Sequence, residues 1–278
     1  MNAILLSISS NLKNAAMLKA LGYDALDVDL CNVIYSGNLH DPMLDGEDWP
    51  RRVEAARKEC EDLGILPRVC HLPFTYRYSE PRDENFDYCH AMACRALQAA
   101  EMLGIRWAVI HINKYDQDPA LVVSETVAYA KKLLEESGVT KTGIAIENST
   151  SMKSIEDTIR IHDLLKADGY DVCYCLDVGH AHLNRKYDND IPTVVRQLGD
   201  RLQMLHLHDN CRNRDLHAVP FAGTIPWEET MVALKQIGYT GDFNLEIDFN
   251  RVPQALLEDY LGYSARVARY LISVFDNA

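Results

Sequence analysis

The sequence has no C-x-x-C pair, no apolar run long enough to cross a bilayer, no Gly/Pro-rich linker and no excess of positive charge. Each absence removes a class of protein. The eight cysteines, at 31, 60, 70, 89, 94, 173, 175 and 211, stand singly or inside apolar runs such as "DVCYCL". They read as small buried hydrophobes in a reducing cytoplasm, not as a disulfide framework or a thiolate zinc site. No stretch reaches the roughly 18 apolar residues of a membrane span. The N-terminal apolar stretch has no basic leader and is soon interrupted by Lys13, so a cytoplasmic protein without a membrane partner is expected. With no boundary composition, residues 1–278 are expected to form one domain. A net charge of −13 leaves little for the basic face that nucleic-acid binding uses. That shifts the expected partner toward a small molecule. What is present is ample apolar material: 47% of the residues are hydrophobic, enough for a sizeable core.

That material is arranged in short runs alternating with amphipathic stretches. The runs are 3–8, 25–30, 67–72, 107–112, 143–148, 172–178, 202–208 and 243–248, rich in Val, Ile, Leu and aromatics and too short for helices. Between them, helical patterns cover 12–21, 50–63, 85–103, 119–137, 154–167, 190–198, 226–237 and 252–275, several closed by a "Leu-Gly" or "Ile-Gly" stop. Eight strand–helix units in a chain of this length predict a (β/α)8 TIM barrel, an α/β fold. A doubly wound open sheet is the competing arrangement. The connections after the second, third and seventh runs are longer than the usual two to six or so residues and are candidates for substrate-facing structure.

Six successive runs end in polar, chemically competent residues: His71, His111, Glu147, Asp177, His206 and Glu246, with His180 just past Asp177 and Asp209 and Arg212 past His206. A lone strand histidine is usually a hydrogen-bonded core or rim residue, and a lone carboxylate is usually solvated or capping a helix. Convergence on one barrel rim changes that, because several carboxylates are costly to bury together unless a cation neutralises them. Carboxylate and imidazole without thiolate suit Mn²⁺, Co²⁺, Mg²⁺ or Zn²⁺. Asp27 and Asp29 share one face of the second run, where lining the pocket and plain solvation are both open. His90, His162 and His182 read as structural or solvated, His40 has no role, and Trp227 packs beneath the rim.

The segments "HLPF" (71–74), "VIHI" (109–112), "IAIENST" (144–150), "CLDVGHAH" (175–182), "LHLHDN" (205–210), "RDLH" (214–217), "GTIPW" (223–227) and "LEID" (245–248) together resemble the xylose isomerase-like TIM-barrel superfamily. Its members include sugar isomerases and epimerases, inosose dehydratases and the endonuclease IV type of abasic-site nuclease. By resemblance to its ketose 3-epimerases, one divalent ion is held by Glu147, Asp177, His206 and Glu246, with no organic cofactor. His180 and Arg212 match groups that hold substrate oxygens. The implied reaction removes and returns a proton beside a carbonyl through a metal-stabilised enediolate, with Glu147 and Glu246 as the acid/base pair. By resemblance to the nucleases, His71, His111, Glu147, Asp177, His180, His206, Asp215, His217 and Glu246 match nine ligands of three zinc ions. A second ion near His71, His111, Asp215 and His217 fits either reading. The negative charge and the lack of a basic–aromatic run favour the sugar enzyme. A dehydratase and a non-catalytic binding barrel are weaker alternatives. Family members often pair into homo-oligomers, although no stretch here marks an interface.

Overall fold

The computed structural model describes residues 3–30, 43–72, 86–112, 118–150, 153–184 and 190–278. His40 and most of the connections after the second and third strands lie outside the described residues. Eight parallel strands close on themselves in sequence order: β1 (Leu6–Ser10), β2 (Ala25–Asp29), β3 (Leu66–His71), β4 (Trp107–His111), β5 (Gly143–Glu147), β6 (Val172–Asp177), β7 (Leu202–Leu207) and β8 (Phe243–Leu245). Closure is made by β1 against β8, with Leu6 beside Phe243 and Ile8 beside Leu245. The (β/α)8 barrel is thereby established, and an open doubly wound sheet is excluded.

The intervening helices follow the amphipathic stretches: α1 (Ala15–Ala20), α2 (Trp49–Leu63), α3 (Phe86–Met102), α4 (Pro119–Ser137), α5 (Ser154–Ala167), α6 (Val178–Leu183), α7 (Ile191–Leu198), α8 (Trp227–Gln236) and α9 (Leu257–Asn277). α2 shows the punctuation clearly. It has Pro50 in its first turn, and Gly64 closes it at φ 66°, a left-handed cap that favours glycine. Sequence periodicity missed α6, because its six residues, "VGHAHL", are too few to establish a helical period. It also placed β1 early and extended β8 to 248, whereas the strand pairing stops at Leu245. Among the described residues, no helix is long and apolar enough to cross a membrane.

The core has two layers. The larger packs the outward faces of the strands against the helices. The smaller fills the barrel and consists of Val69, Trp107, Val109, Ala145, Cys173, Cys175 and Met204. Side chains on a strand return to the same face every second residue. Two positions beyond Val69, Val109, Ala145, Cys175 and Met204 stand His71, His111, Glu147, Asp177 and His206. The apolar plug and the polar mouth are therefore the same inward faces at successive levels of the barrel. Strand register aligns that polar level, pairing His111 with Glu147 and Asp177 with His206.

Candidate functional site at the barrel mouth

Glu147 lies at the centre of the mouth and is buried. Its Oε2 is 3.1 Å from His111 Nε2 and 3.7 Å from His206 Nδ1, and its Oε1 is 3.2 Å from His180 Nδ1. Burial opposes its charge, but His111, His180 and His206 together hold the carboxyl well below the usual range. Glu246, just past β8, reaches in from the opposite side. Its Oε2 is 3.2 Å from His206 Nδ1 and its Oε1 3.6 Å from His71 Nε2. One ligand-type atom from each of Glu147, Asp177, His206 and Glu246 can be chosen so that all lie within 4.8 Å of one another. The same holds for His71, His111 and Glu147, so Glu147 belongs to both groups.

Asp177 begins α6, and its Oδ1 accepts the backbone N–H of His180 at 2.7 Å. This N-cap is why a helix starts at the strand end and turns His180 back toward the mouth. Asn148 clamps the junction, giving its Nδ2 to the carbonyl of Asp177 and accepting the Asp177 N–H, each at 3.0 Å. Burial pushes the Asp177 carboxyl up, yet His180 and His208 bring it down to about 2. For His180, burial works against protonation, but Asp177, Asp215 and Glu147 raise it well above the ordinary imidazole value.

A third group forms along the long connection after β7. His180 Nε2 is 2.9 Å from Asp215 Oδ2, and His217 Nε2 is 3.3 Å from the same oxygen. His208 completes the group, its ring stacked on His217 with centroids 3.9 Å apart. Ligand-type atoms of His180, His208, Asp215 and His217 lie within 4.8 Å of one another. Burial lowers His217, but Asp215 and Glu246 outweigh it and raise the imidazole to about 9. The connection is organised by buried Asp209, which accepts from Trp227 Nε1 at 2.8 Å and from the N–H groups of Asn210 and Phe221 at 2.8 and 2.9 Å. Its backbone is held in left-handed conformations at Arg212, His217 and Phe221 (φ 64°, 43° and 72°). Such geometry persists in non-glycine residues only where the surroundings over-determine it.

Of the residues singled out from the sequence, His71, His111, Glu147, Asp177, His180, His206, Asp215, His217 and Glu246 come together at the mouth. Arg212 is exposed on the connection beyond them, and after burial its charge is what holds His182 down at about 4. His182 is buried, with Nε2 2.9 Å from Thr224 Oγ1. The sequence pattern singles out neither His208 nor Asn148, and it leaves the role of Asp27 open. The signal for His208 was available, since it is two residues past His206 on the inward face. A cavity of about 260 Å³ opens beside the cluster, with Ser9, Asn11, His71, His111, Glu246 and Asn250 in its wall. That is just under the ~300–1,000 Å³ of drug-sized ligand pockets, a fit for a small polar molecule.

An eight-stranded parallel barrel with imidazoles and carboxylates gathered at the C-terminal ends of its strands defines the class, a (β/α)8 protein whose candidate site lies where that fold carries function. Within it, the chain belongs to the xylose isomerase-like TIM barrel family, whose sequence model matches residues 15–266. An uncharacterised protein of Sinorhizobium fredii, y4fM, is 26% identical over 164 residues, 56% of this chain and 51% of the relative. The chain thus spans about half the length of the curated relative it matches. Among solved structures, D-psicose 3-epimerase in the presence of D-fructose aligns with a TM-score of 0.70 at 17% identity, over 97% of this chain and 99% of that one. IolI, solved with a zinc atom, aligns with a TM-score of 0.71 at 16% identity, over 99% of both chains. At these identities the likeness is one of fold.

Proposed function

We propose that the chain is a divalent-metal-dependent isomerase or epimerase acting on a sugar or related polyhydroxy ketone. The observation that carries this reading is the convergence of Glu147, Asp177, His206 and Glu246 within 4.8 Å. The donor set fits a hard or borderline ion, having three carboxylates and one imidazole with no thiolate among them. Glu147 Oε2, Glu246 Oε2 and His206 Nδ1 are buried atoms that meet other ligand-type atoms at 3.1 Å or more but complete no hydrogen bond among the described residues. Buried polar atoms are ordinarily satisfied, so a group of orphans facing one point calls for a ligand. The zinc in IolI and the sugar specificity in the name of D-psicose 3-epimerase support the same reading.

When bound, a divalent ion supplies Lewis-acid stabilisation of charge developing on a carbonyl oxygen. The proton chemistry belongs to Glu147 and Glu246. They approach His206 Nδ1 from β5 and from past β8, at 3.7 and 3.2 Å, so a substrate bound at the mouth lies beside both carboxylates. One removes the proton next to the carbonyl and the other returns one. Return to the same carbon epimerises the substrate, and return to its neighbour isomerises it. In this scheme His180 holds a substrate oxygen at the mouth, and Arg212 reaches a second one from the exposed connection. We assign the protein to the cytoplasm, in line with the free thiols of the seven described cysteines.

A second reading is favoured by one observation, the third group of His180, His208, Asp215 and His217. Together with the other two it supplies ligand sets for three ions, as an endonuclease IV-type nuclease would need. A net charge of −13 weighs against a DNA groove. The test is incubation of Mn²⁺-loaded protein in D₂O with a ketose, a cyclic polyol-ketone and duplex DNA carrying an abasic site. Deuterium appearing next to the carbonyl of an epimerised or isomerised product is expected. Nicked DNA without deuterium incorporation would establish the nuclease instead, and loss of water from the polyol-ketone would establish a dehydratase.

A further inference from the structure

Beneath the mouth, between β1, β2 and β8, lies a carboxylate that neither reading uses. Asp27 is completely buried. Its Oδ2 accepts from Ser9 Oγ at 2.7 Å and from Asn244 Nδ2 at 3.0 Å, and Asn244 also donates to Ser9 at 2.9 Å. Its Oδ1 is 3.1 Å from His71 Nδ1. His206 Nε2 stands 3.5 Å from Oδ2, and the two imidazoles stack on each other with centroids 4.7 Å apart and planes 23° apart.

We propose that Asp27 is a positioning residue that locks His71 in its Nδ1–H form and turns Nε2, lone pair first, into the mouth, with a weaker hold of the same kind on His206. The proposal rests on reading the mouth as a metal centre in which His71, with His111 and Glu147, also holds metal, but not on which substrate is turned over there.

The geometry supports it at both ends of the ring. An ionised carboxylate offers acceptors only, so the nitrogen facing Asp27 must carry a proton, and in the neutral ring the other nitrogen is left to accept. That other nitrogen, His71 Nε2, is a buried atom with no hydrogen-bond partner among the described residues. It faces Glu246 Oε1 at 3.6 Å and Glu147 Oε2 at 4.0 Å. Burial alone would neutralise Asp27, yet His71 and His206 hold it well below the ordinary carboxyl value. Asp27, His71 and His206 are themselves close enough to be taken for a ligand group. The donors on Asp27 argue otherwise, because Ser9 and Asn244 already occupy Oδ2 and His71 occupies Oδ1. A carboxylate behind a ligating histidine raises its basicity and fixes its orientation, and losing such a partner typically lowers metal affinity by about 10–100-fold. A carboxylate with a purely structural role would have no reason to be aimed at the back of a histidine whose front is unsatisfied.

The experiment combines Mn²⁺ titration with long-range ¹H–¹⁵N imidazole spectra of the metal-free protein at a pH where the ring is neutral. Wild type should show His71 as the Nδ1–H form, and Asp27→Asn should lose that preference and bind Mn²⁺ about 10–100-fold more weakly. In a His71→Ala background the same substitution should cost less, since only the weaker hold on His206 is left. An Nε2–H ring in wild type, an unchanged affinity in Asp27→Asn, or an undiminished cost without His71 would each overturn the assignment. If Asp27→Asn does not fold, the wild-type ring form still decides. A wild type that binds no Mn²⁺ yet holds His71 as Nδ1–H would sink the metal reading while supporting the positioning role.

Discussion

Gly179 sits in the second position of α6, and replacing it with alanine sets two effects of opposite sign against each other. Alanine in place of glycine in a helix is favourable by about 0.8–1 kcal/mol from propensity alone. A Cβ at this position, however, would fall 2.0 Å from Cε1 and 2.4 Å from Nδ1 of His208. Ordinary carbon contacts begin near 3.5 Å, so the ring would have to retreat by well over an ångström. It has nowhere to go. His208 is completely buried, stacked on His217 and 2.9 Å from an Asp177 oxygen. Overpacking of this kind costs about 1–3 kcal/mol, and losing a charge-assisted buried hydrogen bond adds about 1.5–3 kcal/mol. The clash outweighs propensity, giving a net loss of roughly 2–5 kcal/mol and a fall in Tm on the order of 5 °C. Urea denaturation measures the first and calorimetry the second. Because His208 is pushed from Asp177, metal affinity should fall as well. A Gly179→Ala protein as stable as wild type, with unaltered metal binding, would refute the packing described around His208.

Three further outcomes follow from the site. Glu147→Gln should keep the fold and lose at least about 10²-fold in turnover, the usual contribution of a general base; full activity in steady-state assays would remove Glu147 from the chemistry. Asp209→Ala leaves the N–H groups of Trp227, Asn210 and Phe221 without their buried acceptor and should cost about 3–5 kcal/mol in urea denaturation. Metal stoichiometry should drop with it, since the same connection carries Asp215 and His217. Finally, His71 is raised to about 9, because Asp27 and Glu246 outweigh burial, and His217 is likewise raised to about 9. Both values lie above the 6.5 of a free imidazole. Their contribution to the stability of metal-free protein is therefore complete below pH 6.5 and lost as pH rises through about 9. Metal binding runs the other way, strengthening over that interval as protons stop competing. Melting curves of stripped and loaded protein against pH should diverge accordingly.

The barrel was legible because eight short apolar runs and their helical partners are local patterns, each visible within a dozen or so residues. Nine of the ten candidates gather at the mouth for a related reason: each ends or follows a strand, and parallel strands deliver their ends to one rim. What sequence position could not separate was grouping. His180 is three residues from Asp177 in the chain, yet its Nε2 meets Asp215, 35 residues away. His208 was overlooked because attention to strand ends stops at His206, although the inward face continues for one more step. Asp27 was indistinguishable from its neighbour Asp29 by pattern. Only the register that sets Ser9 beside Asp27, and Ser7 beside Asn244, reveals that one of the two is enclosed by donors. Arg212 stands out as the candidate named by resemblance alone, and it lies on the exposed part of the connection.

Anomalous diffraction from crystals of Mn²⁺-loaded protein tests the central claim most directly. The account predicts an ion coordinated by Glu147, Asp177, His206 and Glu246 at the C-terminal mouth of the barrel. An ion found only elsewhere, or a mouth whose carboxylates and imidazoles pair with one another and bind no metal at saturating Mn²⁺, would contradict it.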